Sequence, residues 1–241
     1  MKAFSKLSCV ILALLFVQFS FGQTVREGKI SFERKTNLYK KFDDERMRSF
    51  LKEENKIKID KFNLYFNDSI SLFSYIAPDE EDQMSWATTK NTVYSNHNSK
   101  ERVVFIDMFG TSLIINDSTL QRTWKITDKT RKIAGYECTR AIWQKDDSTR
   151  IYAWFTTDIS PTIGPESVTG LPGAILGLAT EDGGVVYFAT KVEIIAPTAE
   201  QVTMPKKKGK EFTSEELKQE MTDRMKGQPF GNQVLRELFF W

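Results

Sequence analysis

The chain has 241 residues, with 34 lysine plus arginine against 32 aspartate plus glutamate, one histidine and two cysteines. So even a charge balance excludes the basic surplus with which a nucleic-acid binder neutralises phosphates. One histidine and two cysteines are too few ligands for a structural zinc or a copper centre, so the expectation is no nucleic-acid partner, no metal and no cofactor.

Residues 1–22 read as a cleavable secretory signal. Lys2 and Lys6 make a positive n-region, Val10 to Phe19 is an apolar run broken only by Gln18, and Ser20-Phe21-Gly22 puts small residues at −3 and −1. Cleavage before Gln23 removes both lysines and no acid, bringing bases and acids to parity. Cys9 has Lys6 where a lipobox has an aliphatic residue, so lipid anchoring is not expected. Residues 23–241 show no Pro/Ser/Gly-rich linker and no apolar run of membrane-spanning length, and read as a single β-rich domain. The expected location is outside the cytoplasm: periplasm, outer-membrane-associated or secreted. Cys138 is then the sole cysteine, unable to form an intramolecular disulfide, and reads as a small buried hydrophobe.

Alternating segments of strand length dominate the rest, beginning with Gly28 to Leu38. Over Asp43 to Glu54, Met47, Phe50 and Leu51 stand at i, i+3, i+4, which predicts a short amphipathic helix. Ile57 to Phe66 reads as a strand whose apolar phase changes between Ile59 and Phe62, as a bulge or bend would produce. Ile70 to Ile76 returns, Asp79 to Asp82 is a solvated acidic loop without calcium-loop spacing, and Val103 to Met108 suits a covered strand. Further strands are predicted over 113–116, 123–127, 133–143, 150–156, 174–180 and 185–195. Lys145-Asp146-Asp147-Ser148 and Glu181-Asp182-Gly183-Gly184 are the strongest hairpin signals. Lys206-Lys207-Lys208-Gly209-Lys210 reads as a solvated loop. Thr213 with Glu216 forms a capping-box pattern, Leu217, Met221 and Met225 make a stripe, and Gly227 with Pro229 ends a second short helix. The fold class is mainly β: an antiparallel multi-stranded sheet with two short helices.

The most distinctive stretch is Ile163 to Leu178, IGPESVTGLPGAILGL. Pro172 fixes its own φ and extends Leu171, and Gly173 can take the positive φ of a type II turn, which redirects the chain into Ala174 to Leu178. A phosphate-cradling loop is disfavoured, because no Gly-Lys-Ser/Thr end follows and Pro172 lacks an amide donor.

Three blocks together resemble the GLPGLI family: Lys132 to Cys138 with Gly135, Tyr152 to Ile159, and Gly164-Pro165 followed by Gly170-Leu171-Pro172-Gly173-Ala174-Ile175-Leu176. The resemblance covers about residues 124–195, with Ala174 where the family name has leucine. It implies a secreted protein of the kind found in Bacteroidetes-type bacteria, with no assigned activity. In this resemblance Gly135, Cys138, Gly164, Pro165, Gly170, Leu171, Pro172, Gly173, Ile175 and Leu176 are structural. The strand pattern also resembles the curved half-barrels of periplasmic lipoprotein carriers, an analogy of fold alone.

No catalytic constellation is recognisable: His97 lies in a turn-like segment, and the surroundings of Cys138 alternate like a structural strand. On a strand, Tyr152 and Trp154 share one face and Ala153 and Phe155 the other, so one face can be core and the other a groove. Tyr152 and Trp154, with Asp158 beside them, are the candidate ligand-binding residues. Three functions follow. The first is a non-catalytic carrier or binding protein for an apolar or amphipathic small molecule or lipid. The second is an interaction subunit of an envelope assembly, suggested by the aromatic ending Leu238 to Trp241, which reads as a docked tail or a patch for a partner protein. The third is a carboxylate-dependent hydrolase, suggested by the abundance of acids and by Asp158.

Overall fold

The computed structural model describes residues 24–80, 82–108, 110–228 and 231–241. The expected signal at 1–22 and its cleavage site lie outside them. The fold is mainly β, as predicted. Twelve strands form one sheet: β1 Gly28–Asn37, β2 Ile57–Phe66, β3 Ile70–Ile76, β4 Thr92–Asn96, β5 Glu101–Met108, β6 Thr111–Ser118, β7 Lys125–Ile133, β8 Tyr136–Gln144, β9 Arg150–Thr156, β10 Ala174–Thr180, β11 Val185–Glu193 and β12 Lys210–Phe212. Their order is β12-β6-β5-β4-β3-β2-β1-β11-β10-β9-β8-β7. Neighbours pair antiparallel, except that β12 runs parallel to β6. The described helices are short: α1 Leu38–Lys41, α2 Glu45–Ser49, α3 Ser214–Met225 and α4 Gly231–Leu238.

Topology and chain length together require the sheet to curl. Strands β6 and β7 are ten strand-to-strand steps apart in the order, about 48 Å if the sheet were flat. Yet only residues 119–124 join Ser118 to Lys125, and a stretch of that length reaches at most about 25 Å. The sheet therefore bends its margins towards each other into an open half-barrel. The chain also divides at this link. Strands β1 to β6 form one run and β7 to β11 another, and the two meet along β1 and β11 and again where β12 joins β6.

The concave face carries the main core. Phe62 stacks on Phe73 with centroids 4.7 Å apart, Phe32 and Tyr187 pack edge-on to Phe73, and Leu217 and Met221 of α3 join them. The segment between β9 and β10 is laid into this face, burying Ile159, Ile163, Val168 and Leu171 completely. On the other face, Leu72, Tyr94, Val103, Phe105 and Ile114 form a second cluster. The stretch leading into β12 passes over it: Lys207 lies above the Phe105 ring, and Gly209 sits against Ile114.

Several elements differ from expectation, each for a physical reason. The predicted helix over 43–54 shrinks to the five residues of α2, capped by the Asp44 side chain. Met47 and Leu51 pack on Leu38, Phe42 and Ala87, but Phe50 is 80% exposed; a helix this short persists only where its apolar face is covered. The predicted strand 133–143 is split by a hairpin turn at Ala134-Gly135, with φ of +49° and +90°. Alanine tolerates this left-handed region poorly, so the turn carries only half of its usual signature. Strands β4 and β12 and helices α1 and α4 have no counterpart among the predicted elements. The helix signalled by Thr213 and Glu216 is present with both capping-box hydrogen bonds formed.

Candidate functional site

Of the bulge or bend expected in β2, no bulge is present along β1, since β1 and β2 pair in unbroken register from Gly28 with Phe66 to Asn37 with Ile57. What changes is the residue type facing inward. On β1 the concave positions run Ile30, Phe32, Arg34, Thr36, and on β2 they run Phe66, Leu64, Phe62, Asp60, all buried. Ile57 and Ile59 face outward. Strand β1 pairs Arg34 with Asp60 of β2 on one side and with Tyr187 of β11 on the other, giving a polar row across three adjacent strands.

The row is tightly connected. Arg34 Nη2 donates to Asp60 Oδ2 at 2.7 Å and to the Thr89 carbonyl at 2.6 Å, and Nη1 donates to the Tyr187 hydroxyl at 3.4 Å. Its guanidinium lies 5.0 Å from the Phe62 ring centroid. Asp60 also accepts from Thr88 Oγ1 at 2.8 Å and Lys58 Nζ at 3.0 Å. Burial alone would raise the Asp60 carboxyl, but the Arg34 charge and the hydrogen bonds from Arg34, Thr88 and Lys58 hold it below the usual carboxylate range. Burial, with Glu166 adding to it, pushes the Tyr187 hydroxyl well above its ordinary value, so it stays protonated and donates.

Its acceptor is Glu166. The Tyr187 hydroxyl donates to Glu166 Oε1 at 2.7 Å, and Asn91 Nδ2 donates to Oε2 at 3.1 Å. Glu166 follows Gly164-Pro165 in the motif loop, and both Glu166 and Ser167 adopt left-handed φ, +54° and +55°. Such a conformation is costly for residues with a Cβ and persists only where the surroundings enforce it. Here Ser167 Oγ accepts from the buried Arg102 Nε at 2.7 Å, and Glu166 is 1% exposed. The loop meets β10 at Gly173, whose φ of +132° and position against the Thr156 carbonyl exclude a side chain. The Gly173 amide donates to Leu171 O at 2.8 Å, so Pro172 centres a three-residue turn instead of the expected type II turn.

Above Arg34 a cleft of about 500 Å³ opens to solvent. Its walls are Asn37 at the end of β1 with Lys40 and Lys41 of α1, Ser148 to Arg150 at the β8–β9 turn, Thr180 to Asp182 and Gly184 at the β10–β11 turn, and Gln233, Arg236 and Glu237 of α4, with Phe240 and Trp241. The two strongest hairpin signals in the sequence thus form two of its walls. The aromatic ending is docked: Trp241 packs edge-on to Tyr187 at 5.8 Å, its carbonyl accepts from Arg122 Nη2 at 2.9 Å, and Lys145 Nζ donates to Phe240 O at 2.6 Å.

The expected ligand residues lie elsewhere. Tyr152 and Trp154 do share a face of β9, with Ile151, Ala153 and Phe155 buried on the other. Their own face carries Arg140 over Tyr152 and Arg131 over Trp154, and Tyr152 donates to Glu181 Oε1 at 2.6 Å. Asp158 is exposed in the loop after β9. None of the three lines the cleft. Cys138 is fully buried in the core with its thiol pushed up to about 11 by burial, and its Sγ bonds to Tyr136 O. Gly164, Leu171, Ile175 and Leu176 are buried and Gly135 is a turn residue. Asp82 of the acidic loop pairs with Lys58 at 2.6 Å. Among the described residues, no three His, Cys, Asp or Glu gather as metal ligands. Arg34, Asp60 and Glu166 are not among the residues that sequence reasoning singles out. The available signal is a charged residue on the apolar phase of β1 and of β2, and one acid inside an otherwise apolar motif.

Fold and site together define a curled antiparallel half-barrel, its interior filled by its own chain and an open polar cleft at one end. No protein-family model and no curated protein matches the chain. Among solved structures it is similar to PNGF-II, in crystals of space groups P21 and C2, with a TM-score of 0.54 in both and 18% and 19% identity. The match covers 78% of this chain and 32% and 31% of PNGF-II, so the chain spans about a third of that protein's length. An uncharacterised conserved protein from Thermus thermophilus aligns over 84% of this chain and 98% of its own at 6% identity, TM-score 0.41. MucB in complex with MucA(peri) aligns over 77% and 58% at 8% identity, TM-score 0.35. The likeness to PNGF-II is one of fold, and the two weaker matches carry no argument about function. Among the described residues no helix is long and apolar enough to cross a membrane.

Proposed function

We propose that this chain is an exported, non-catalytic binding protein of GLPGLI type, which holds an amphipathic ligand in the end cleft. Export rests on the signal-like residues 1–22, and the family reading on the three motif blocks within 124–195. The observation that carries the binding reading is the cleft itself: about 500 Å³, with Phe240 and Trp241 on one wall and Arg34 at the floor. A site for an amphiphile needs an apolar wall and a few fixed polar groups together. The half-barrel interior is a poorer candidate for a lipid, because Ile159, Ile163, Val168 and Leu171 occupy it. The absence of catalysis is supported by the state of the buried acids. Asp60 is held ionised in an ion pair, Glu166 accepts from Tyr187 and Asn91, and neither lines the cleft. Titrating the purified chain with a non-ionic amphiphile, dodecyl maltoside, below its micelle concentration should change tryptophan fluorescence, and Trp241→Leu should abolish that change. A flat titration with the unmodified chain overturns the reading.

An envelope-interaction role is favoured by a different observation. Phe50 is 80% and Trp86 61% exposed, with the Trp86 ring tilted against Phe42 at a centroid distance of 5.7 Å. Large apolar groups left in solvent beside a small core suit a contact surface where they lie together. If they form one, crosslinking in intact cells captures a protein partner, and Phe50→Ser with Trp86→Ser loses it. Recovery of uncrosslinked monomer alone rejects this role.

A further inference from the structure

The floor of the cleft holds an unused donor. Arg34 is 4% exposed and its Nη atoms are satisfied, but the buried Nε has no acceptor among the described residues. A buried donor on a charged group left unpaired costs free energy, and a partner reaching Arg34 from solvent comes through the cleft it lines.

The walls point to the same chemistry. Lys40, Lys41, Arg150 and Arg236 converge on the cleft from α1, β9 and α4. Acidic groups are present too, each with one oxygen bonded to another partner. Glu237 accepts from Lys41 and from the Thr89 amide, Glu181 from Arg150 and Tyr152, and Asp182 from the Gly184 amide. Lys40 donates to the Asp182 carbonyl and, among the described residues, is paired with no carboxylate. Lys41, Arg150 and Arg236 are ion-paired to Glu237, Glu181 and Asp43, so the donors left among the described residues are Lys40, Arg150 Nη2 and the buried Arg34 Nε, a set that suits an oxyanion.

We infer that the cleft takes the oxyanion head of its ligand, a phosphate or carboxylate accepting from Arg34 Nε, with Lys40 and Arg150 closing over it from the walls. This rests on the reading of the cleft as the ligand site and adds the charge of the ligand. Phe240 and Trp241 then face whatever apolar part follows the head.

The test uses the purified chain and three probes: inorganic phosphate, dodecyl phosphate and dodecyl maltoside, each followed by calorimetry and by the NMR signal of the Arg34 Nε–H. Dodecyl phosphate should bind at least about tenfold more tightly than dodecyl maltoside, as a charge-assisted hydrogen bond requires. It should also shift the Arg34 Nε–H resonance. Lys40→Gln with Arg150→Gln, both at the wall and away from the core, should remove that advantage and bring dodecyl phosphate to the affinity that the same variant shows for dodecyl maltoside. Equal affinity for the two amphiphiles overturns the oxyanion inference while the binding reading stands. Binding of inorganic phosphate and dodecyl phosphate with equal affinity supports the inference and identifies a free oxyanion as the ligand, against an amphiphile. If neither phosphate compound binds or moves the Arg34 signal, the inference fails.

Discussion

Arg34 and Asp60 hold each other in a nearly water-free setting, their side chains 5% and 0% exposed. Taking away one partner strands the other, a loss of about 3–5 kcal/mol, whereas replacing both with apolar groups of similar volume is far milder. Asp60→Ala should therefore lower the free energy of unfolding, measured by urea titration, by that much and shift the midpoint down with it, and Arg34→Met with Asp60→Leu should recover most of it. An unchanged midpoint in Asp60→Ala would contradict the pairing. Because the folded Asp60 carboxyl is depressed, its contribution is fully present above the unfolded value of about 3.9 and is lost as pH falls through the lower folded value. The acid side of the stability profile should flatten in Asp60→Asn. Cys138 gives the opposite case of a group silenced by burial. With its thiol raised to about 11, it should resist alkylation at pH 8 in the native protein and react at once in urea; rapid native labelling at Cys138 would show that it is not buried.

At the scale of single elements, the turns divide into those defined by dihedral angle alone and those defined by contact as well. Gly183 has φ of +69° and open space around it, while Gly173 has φ of +132° and would place a Cβ 2.0 Å from the Thr156 carbonyl oxygen. Gly183→Ala should cost about 1–2 kcal/mol, the ordinary penalty for a left-handed residue. Gly173→Ala should cost clearly more, measured by thermal unfolding of the two variants side by side, because the backbone of β9 would have to move. Similar losses would mean that the β9–β10 corner is not closely packed. Most strands and the α3 cap are legible in the sequence because period-two alternation and capping chemistry are local. The Ala134-Gly135 turn is not, since its first residue lacks the usual preference, nor is β12, whose three residues form a strand only beside β6. The site is illegible for a related reason. The inward charges of Arg34 and Asp60 break the apolar pattern, and a break in pattern looks alike whether a strand bends or a polar group is buried.

For the whole molecule, one continuous sheet around one main core implies one cooperative unit. Urea unfolding followed by tryptophan fluorescence and by far-ultraviolet circular dichroism should give superimposable curves. Two separated transitions would show that the β1–β6 and β7–β11 runs are independently stable. Folding should be slow for the chain length, because β1 finds its second partner only when β11 has been made.

The short link at 119–124 also gives the molecule a mechanical character. The two runs of strands are half-shells laced together by two seams, one of eight residue pairs between β1 and β11 and one of three pairs between β12 and β6. Peeling either seam alone leaves the shell fastened by the other and by the covalent strap across the opening. A load that parts the half-shells has to fail both seams at once, so the rim of the cleft, built from α1, α4 and the hairpin turns of β8 to β11, is mounted on a frame that resists being pried open.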